Sequence, residues 1–149
     1  MAVDSREKEL SVEEILDIAA EETDSPYPKD KVKDFFLKEV VSANTKTFRY
    51  GNTLYLLHPG KTKKTSGVFR ALNADTAENY MKSGYNFVDD AYKAGFSSLA
   101  TEFKDQSILN IFRTISKNPP REGMGYTVST TEDNGYLVGL NLGDPQQGA

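Results

Sequence analysis

The chain predicts a single α/β domain in which about four helices flank a mixed, mainly antiparallel sheet. Three observations carry that expectation. Segments with the 3.6-residue apolar period of helices are interleaved with short segments that alternate apolar and polar residues. The length, 149 residues, suffices for one domain with a real core and would be cramped for two. No linker, internal repeat or low-complexity stretch interrupts the pattern. The expected division is a polar N-terminal segment over 1–10, the domain over 11–142 and a flexible tail over 143–149.

Each element has its own signal. Ser11-Val12-Glu13-Glu14 is a capping box, and Val12, Ile15, Leu16 and Ala19 then share one apolar face. The stretch from Thr23 to Pro28, with two prolines, ends this helix. A second helix is expected over about 30–41, with Val32, Phe35, Phe36, Val40 and Leu37 on its apolar side. Thr47 to Tyr50 and Thr53 to Leu57 flank Gly51-Asn52, a two-residue hairpin signal. His58-Pro59-Gly60 stops the second strand, and a loop with Lys61, Lys63 and Lys64 leads to a third strand over Gly67 to Leu72. A long amphipathic helix is expected from Asp75 to Ala94, with Ala77, Tyr80, Met81, Gly84, Val88, Ala91 and Tyr92 inward and Gly95 closing it. Phe96 to Phe103 reads as a strand. Asp105 is placed to cap a shorter helix with Ile108, Ile111, Phe112 and Ile115 inward, ended by Asn118-Pro119-Pro120. Met124, Tyr126 and Val128 alternate on one last strand and Tyr136, Val138, Leu140 and Leu142 on another, around the turn Asp133-Asn134-Gly135.

Composition narrows the functions. The net charge of -4 argues against sequence-independent nucleic-acid binding, which needs clustered positive charge. The lysine loop is a local exception, read first as a solvated turn. There is no cysteine, so neither disulfides nor thiolate chemistry arise. The N-terminus lacks the apolar core of a signal peptide, and no apolar run approaches the roughly 20 residues needed to span a bilayer. A soluble, non-secreted protein is therefore expected. His58 is the only histidine and reads as a turn residue, and no carboxylate spacing suggests a metal site. No nucleophile elbow, Walker-type loop or dinucleotide fingerprint occurs.

The order helix, helix, three-strand meander, helix, strand, helix, hairpin resembles the GCN5-related N-acetyltransferase (GNAT) fold over roughly residues 11 to 142. Its usual first strand is missing or too polar to see. In that family a strand is followed by an Asn, an apolar residue three on and a Tyr four beyond. Asp105, Ile108 and Phe112 fall on those positions here. The family's Tyr protonates the departing thiolate in many members; Phe112 has no hydroxyl and cannot. The turn Asn73-Ala74-Asp75-Thr76 stands where the family carries glycines whose amides hold the cofactor pyrophosphate. It has none, and Asp75 repels an anion. The strings Leu72-Asn73-Ala74-Asp75-Thr76, Asn79-Tyr80, Ser83-Gly84 and Asn118-Pro119-Pro120, with Gly123-Met124-Gly125-Tyr126, are also similar to small GNAT-like proteins of short-tailed bacteriophages, including cyanophages.

The resemblance implies a phage virion or assembly protein that kept the fold and lost acetyl transfer. Such a protein would reside in the virion or the bacterial host cytoplasm, with no cofactor, no metal and no catalytic residue. It would dock to other particle proteins, or to copies of itself, through sheet edges, exposed aromatics and the loop with Arg121, Met124 and Tyr126, since Met and Tyr are enriched at interfaces. The alternative it implies is an active acetyltransferase using acetyl-coenzyme A. Leu72 and Asn73 would then hold the pantetheine arm through backbone groups, Ala74, Thr76 and Asn79 would meet the pyrophosphate, and Glu102 would be the base. A third possibility is a small phage protein that binds a host enzyme. The enzyme needs an open groove between the third and fourth strands; an assembly protein can fill that groove with side chains.

Overall fold

The structure, a computed structural model, describes residues 9–23, 25–61, 64–104, 106–119 and 124–143. Its elements in chain order are α1 (Val12–Glu22), α2 (Lys29–Val41), β1 (Lys46–Tyr50), β2 (Thr53–Pro59), β3 (Ser66–Asn73), α3 (Ala77–Lys93), β4 (Ser98–Phe103), α4 (Gln106–Lys117), β5 (Gly125–Thr130) and β6 (Tyr136–Asn141). The strands form one sheet in the order β1-β2-β3-β4-β6-β5. Only β3 and β4 run parallel. The mixed, mainly antiparallel sheet expected from the sequence is present.

Two apolar layers cover the two faces. On one face α1 and α2 bury Ile15, Leu16, Ala19, Val32 and Phe36 against Leu54, Leu56 and Leu72. On the other, α3 and α4 bring Phe87, Val88, Ala91, Leu109 and Phe112 onto Tyr55, Leu57, Phe69, Leu99, Val138 and Leu140. Strand residues alternate between faces, so β2 feeds both layers and is buried from Thr53 through Leu57. The first layer stops at β3. Beyond it that face is open, leaving Val68 57% and Leu137 43% exposed.

Local signals explain most boundaries. The capping box forms: Ser11 Oγ accepts from the Glu14 amide at 3.1 Å, and Glu14 Oε1 accepts from the Ser11 amide at 3.0 Å. Gly51 takes a φ of 58° in the β1–β2 turn, and Gly95 a φ of 102° after α3, both in the left-handed region. Several boundaries and faces differ from expectation; Val12 of α1 and Ala77 of α3, for example, are exposed and not inward. α3 starts two residues late, at Ala77 with Thr76 as its N-cap, because the Asp75 carboxylate turns inward to the Asn52 amide. β4 begins at Ser98, because the Phe96 amide still bonds Ala91 of the helix before it. On α2, Phe35 and Leu37 lie outside the core, 53% and 42% exposed. The expected cap Asp105 lies outside the described residues.

Candidate functional site

The β3–β4 pair is a fork. Its parallel ladder covers only Ser66–Ser98, Gly67–Leu99 and Val68–Ala100, although β3 continues to Asn73 and β4 to Phe103. Backbone direction follows from β3's other neighbour. The Gly60 amide donates to Ser66 O at 2.8 Å, and the Ala74 amide to Asn52 O at 3.0 Å. The β2–β3 register is continuous between them, so even-numbered β3 residues point their N–H and C=O groups at β2. Phe69, Ala71 and Asn73 therefore present theirs to the β4 side, and for Ala71 and Asn73 the ladder has ended. This is a strand edge that has lost its ladder partner inside a sheet, half-buried at Ala71 and Asn73, and such an edge can pair with an extended amide-bearing chain.

One face of the fork is floored by aromatics. The Phe112 ring stacks on Phe103 of β4 at 5.6 Å and meets Phe69 of β3, tilted, at 6.3 Å. Phe112 is 9% exposed. The opposite rim carries charge: Arg70 on β3 and Glu102, exposed, near the end of β4. Both fall on the face away from α3 and α4, since Phe69 and Phe103 take the other.

The turn after β3 is fastened internally. Asp75 Oδ2 accepts from the Asn52 amide at 2.7 Å, and Asp75 is 3% exposed. Asn73 Oδ1 accepts from Thr53 Oγ1 at 2.8 Å and from the Asp75 amide at 3.0 Å. Thr76 Oγ1 caps the Asn79 amide at 3.3 Å. A Cβ on Gly51 would come within 2.7 Å of Asp75 Oδ2, so the β1–β2 turn and the β3–α3 turn are fitted to each other. Of the residues considered for the pyrophosphate, Ala74 is fully buried and the Asn79 amide is already engaged. Leu72 is buried under α1 and α2, with its backbone directed to β2.

His58 has more partners than its place before Pro59-Gly60 suggests. Its Nε2 lies 2.8 Å from Glu39 Oε2 of α2, and its Nδ1 3.3 Å from Thr45 Oγ1. Glu39's other oxygen accepts from Arg70 Nε at 3.0 Å, and the Arg70 guanidinium stacks over Phe35 and Phe36 at 5.5 and 5.4 Å. Glu39 is thus a clamp fixing α2 to β2 and β3. Sequence reasoning missed it because its partners lie 19 and 31 residues away. Beside His58 an open trough of about 870 Å³ crosses the uncovered face, over Val68, Ala100, Gly139 and Thr127.

The loop residues considered for partner contact are only partly visible. Met124 and Tyr126 pack, half-buried, on the core under α4. Burial pushes the Tyr126 phenol up, while the nearby Arg113 cation pulls it down. Arg121 lies outside the described residues, as does Lys63 of the lysine loop.

No protein-family model matches the chain, and no curated protein does. Among solved structures it is similar to the ribosomal-protein-S18-alanine N-acetyltransferase from Escherichia coli. That similarity has a TM-score of 0.56, 8% identity, and covers 95% of this chain and 96% of the other. A GNAT-family acetyltransferase from Streptococcus pneumoniae matches with a TM-score of 0.45 and 13% identity, over 91% of this chain and 98% of that one. The chain therefore has a GNAT-like fold. These likenesses lend nothing to a phage origin. Among the described residues no helix is long and apolar enough to cross a membrane.

Proposed function

We propose that this protein is a GNAT-type acyltransferase that moves an acyl group from an acyl-coenzyme A thioester to an amine. The fork between β3 and β4 carries this reading, because it leaves the backbone groups of Ala71 and Asn73 free of a β4 partner. They fit the amides of a pantetheine arm. The turn fits the pyrophosphate less well: it lacks glycine, Asp75 is built into the fold, and the first turn of α3 carries the acidic Glu78. The arm, more than the phosphates, would supply affinity.

The thioester supplies an activated acyl carbon when bound. The chain's own groups do the rest. Phe69, Phe103 and Phe112 keep water from one side of the fork. Glu102, on the exposed rim just past the end of the ladder, accepts the proton of the attacking amine. Calorimetric titration with acetyl-coenzyme A tests the reading. Saturable binding tighter than ~100 µM, about -5.5 kcal/mol, is expected. Glu102→Gln should bind equally well and lose acyl transfer by roughly 100-fold or more. No binding at millimolar cofactor would sink the proposal.

A second reading has its own support. The missing hydroxyl at Phe112 and the fastened Asp75 turn suit a protein that kept the fold and acts by contact, as in particle assembly or the capture of a host enzyme. Failure to bind the cofactor, together with co-purification of particle proteins or of a host enzyme, would favour it.

A further inference from the structure

We infer that β5 is the interface of a symmetric homodimer, in which two copies join edge to edge and continue one sheet into the other. The sheet ends at β5, and among the described residues nothing pairs with its outer side. Edge strands in soluble proteins are normally guarded by charge, proline or a bulge. Gly125-Tyr126-Thr127-Val128-Ser129-Thr130 has no charged side chain and no proline, and its register with β6 runs without a bulge. Thr127 through Thr130 are exposed, Val128 by 40%. The opposite edge, β1, is guarded: it carries Lys46 and Arg49, and the Arg49 guanidinium donates to Leu10 O across it.

The backbone of β5 is self-complementary. The Thr131 amide donates to Gly135 O at 3.0 Å, so odd-numbered residues of this strand face β6. The next strand agrees: the Leu142 amide donates to Ser97 O at 2.8 Å, which turns even-numbered β6 residues to β4 and odd ones to β5. Tyr126, Val128 and Thr130 therefore aim their N–H and C=O groups outward. A two-fold axis at Val128 sets Val128 opposite Val128 of the second copy, and Tyr126 opposite its Thr130. Every outward N–H then meets an outward C=O, as an isologous antiparallel interface requires. The side chains agree with this register. Val128 meets Val128 on the α4 side, Thr127 meets Ser129 on the other, and no like charges face each other.

Sedimentation equilibrium of the full chain, from micromolar to submillimolar concentration, tests this. A reversible species of twice the 16.6 kDa chain mass is expected. Val128→Lys places two cations on the axis and should weaken association at least about tenfold. Val128→Pro removes an outward N–H that β6 does not use and should abolish association. If the proline variant does not fold by circular dichroism, the lysine variant decides. Hydrogen exchange gives an independent readout. The amides of Tyr126, Val128 and Thr130 should gain protection with concentration, while those of Thr127 and Ser129 should not change. A monomer at every concentration would overturn the inference. So would folded Val128 variants that associate like the wild type, or an exchange pattern indifferent to concentration.

Discussion

Phe112 lies between Phe69 and Phe103, at the position where the resembling family places a hydroxyl. If acyl transfer occurs in this fork, the chain lacks that proton donor and should turn over slowly. Phe112→Tyr is expected to raise the acyl-transfer rate about tenfold or more, since a positioned acid contributes 10²–10⁴-fold. The added hydroxyl enters an aromatic pocket, so stability should fall by about 1–3 kcal/mol. Steady-state kinetics and a urea titration would report the two effects separately; an unchanged rate would count against acid-limited chemistry. Two other phenols set an alkaline limit. Tyr50 donates to Asp90 Oδ2 at 2.6 Å, and the Tyr55 hydroxyl lies 2.8 Å from Ser83 Oγ. Burial first, then the Asp90 carboxylate, holds the Tyr50 phenol well above its ordinary range near 10. Burial does the same for Tyr55, with Tyr80 and Tyr50 adding to it and Ser83 opposing. A phenol that keeps its proton more tightly when folded contributes stability fully below the unfolded value. That contribution is lost as pH rises past about 10. Unfolding should therefore become steadily easier above that pH, and Tyr50→Phe should flatten the dependence. Urea midpoints between pH 8 and 11 measure it; a flat wild-type profile would refute it.

At the scale of elements, the contact between α3 and α4 turns on Gly84. A Cβ there would lie 3.0 Å from Ile115 Cδ1 of α4 and 3.8 Å from Tyr55 Oη. Gly84→Val should push the helices apart and cost about 1–3 kcal/mol, read as a lower urea midpoint at unchanged slope. The sequence pattern places Gly84 on the inward face of α3, and the structure agrees. Local signals were legible in general: the capping box at Ser11, the Gly51-Asn52 turn, Gly95 after α3 and the alternation along β6 all reflect forces acting within a few residues. What was not legible depends on distant partners. Asp75 reads as the start of a helix until Asn52 takes its carboxylate. Phe87, not Tyr80 or Met81, fills the core under α3, because the Tyr55 ring stacks on it at 4.3 Å. The candidate site followed the same rule. Its turn and Phe112 could be named only through the resemblance to the GNAT family. The fork could not, because it is a place where pairing stops, and no residue type marks the end of a parallel ladder.

For the molecule as a whole, the decisive feature is that one strand serves two cores. Leu56 belongs to the layer under α1 and α2, and its neighbour Leu57 to the layer under α3 and α4; both are fully buried. Neither layer can lose its strand without exposing the other, so the two should unfold together even though no residue of α1 or α2 shares a core with α4. Leu56→Ala and Leu57→Ala should each cost about 2–5 kcal/mol, a large part of the 5–15 kcal/mol a domain of this size holds. Each should shift a single transition, with circular dichroism and tyrosine fluorescence giving the same midpoint. If Leu56→Ala instead produced an early phase confined to helical signal while tyrosine fluorescence stayed native, the α1–α2 layer would be a separate unit. The face of the fork bearing Arg70 and Glu102 would then open without global unfolding. Coincident midpoints would mean that this rim is as rigid as the sheet, because Glu39 ties Arg70 and His58 to a helix that cannot leave alone.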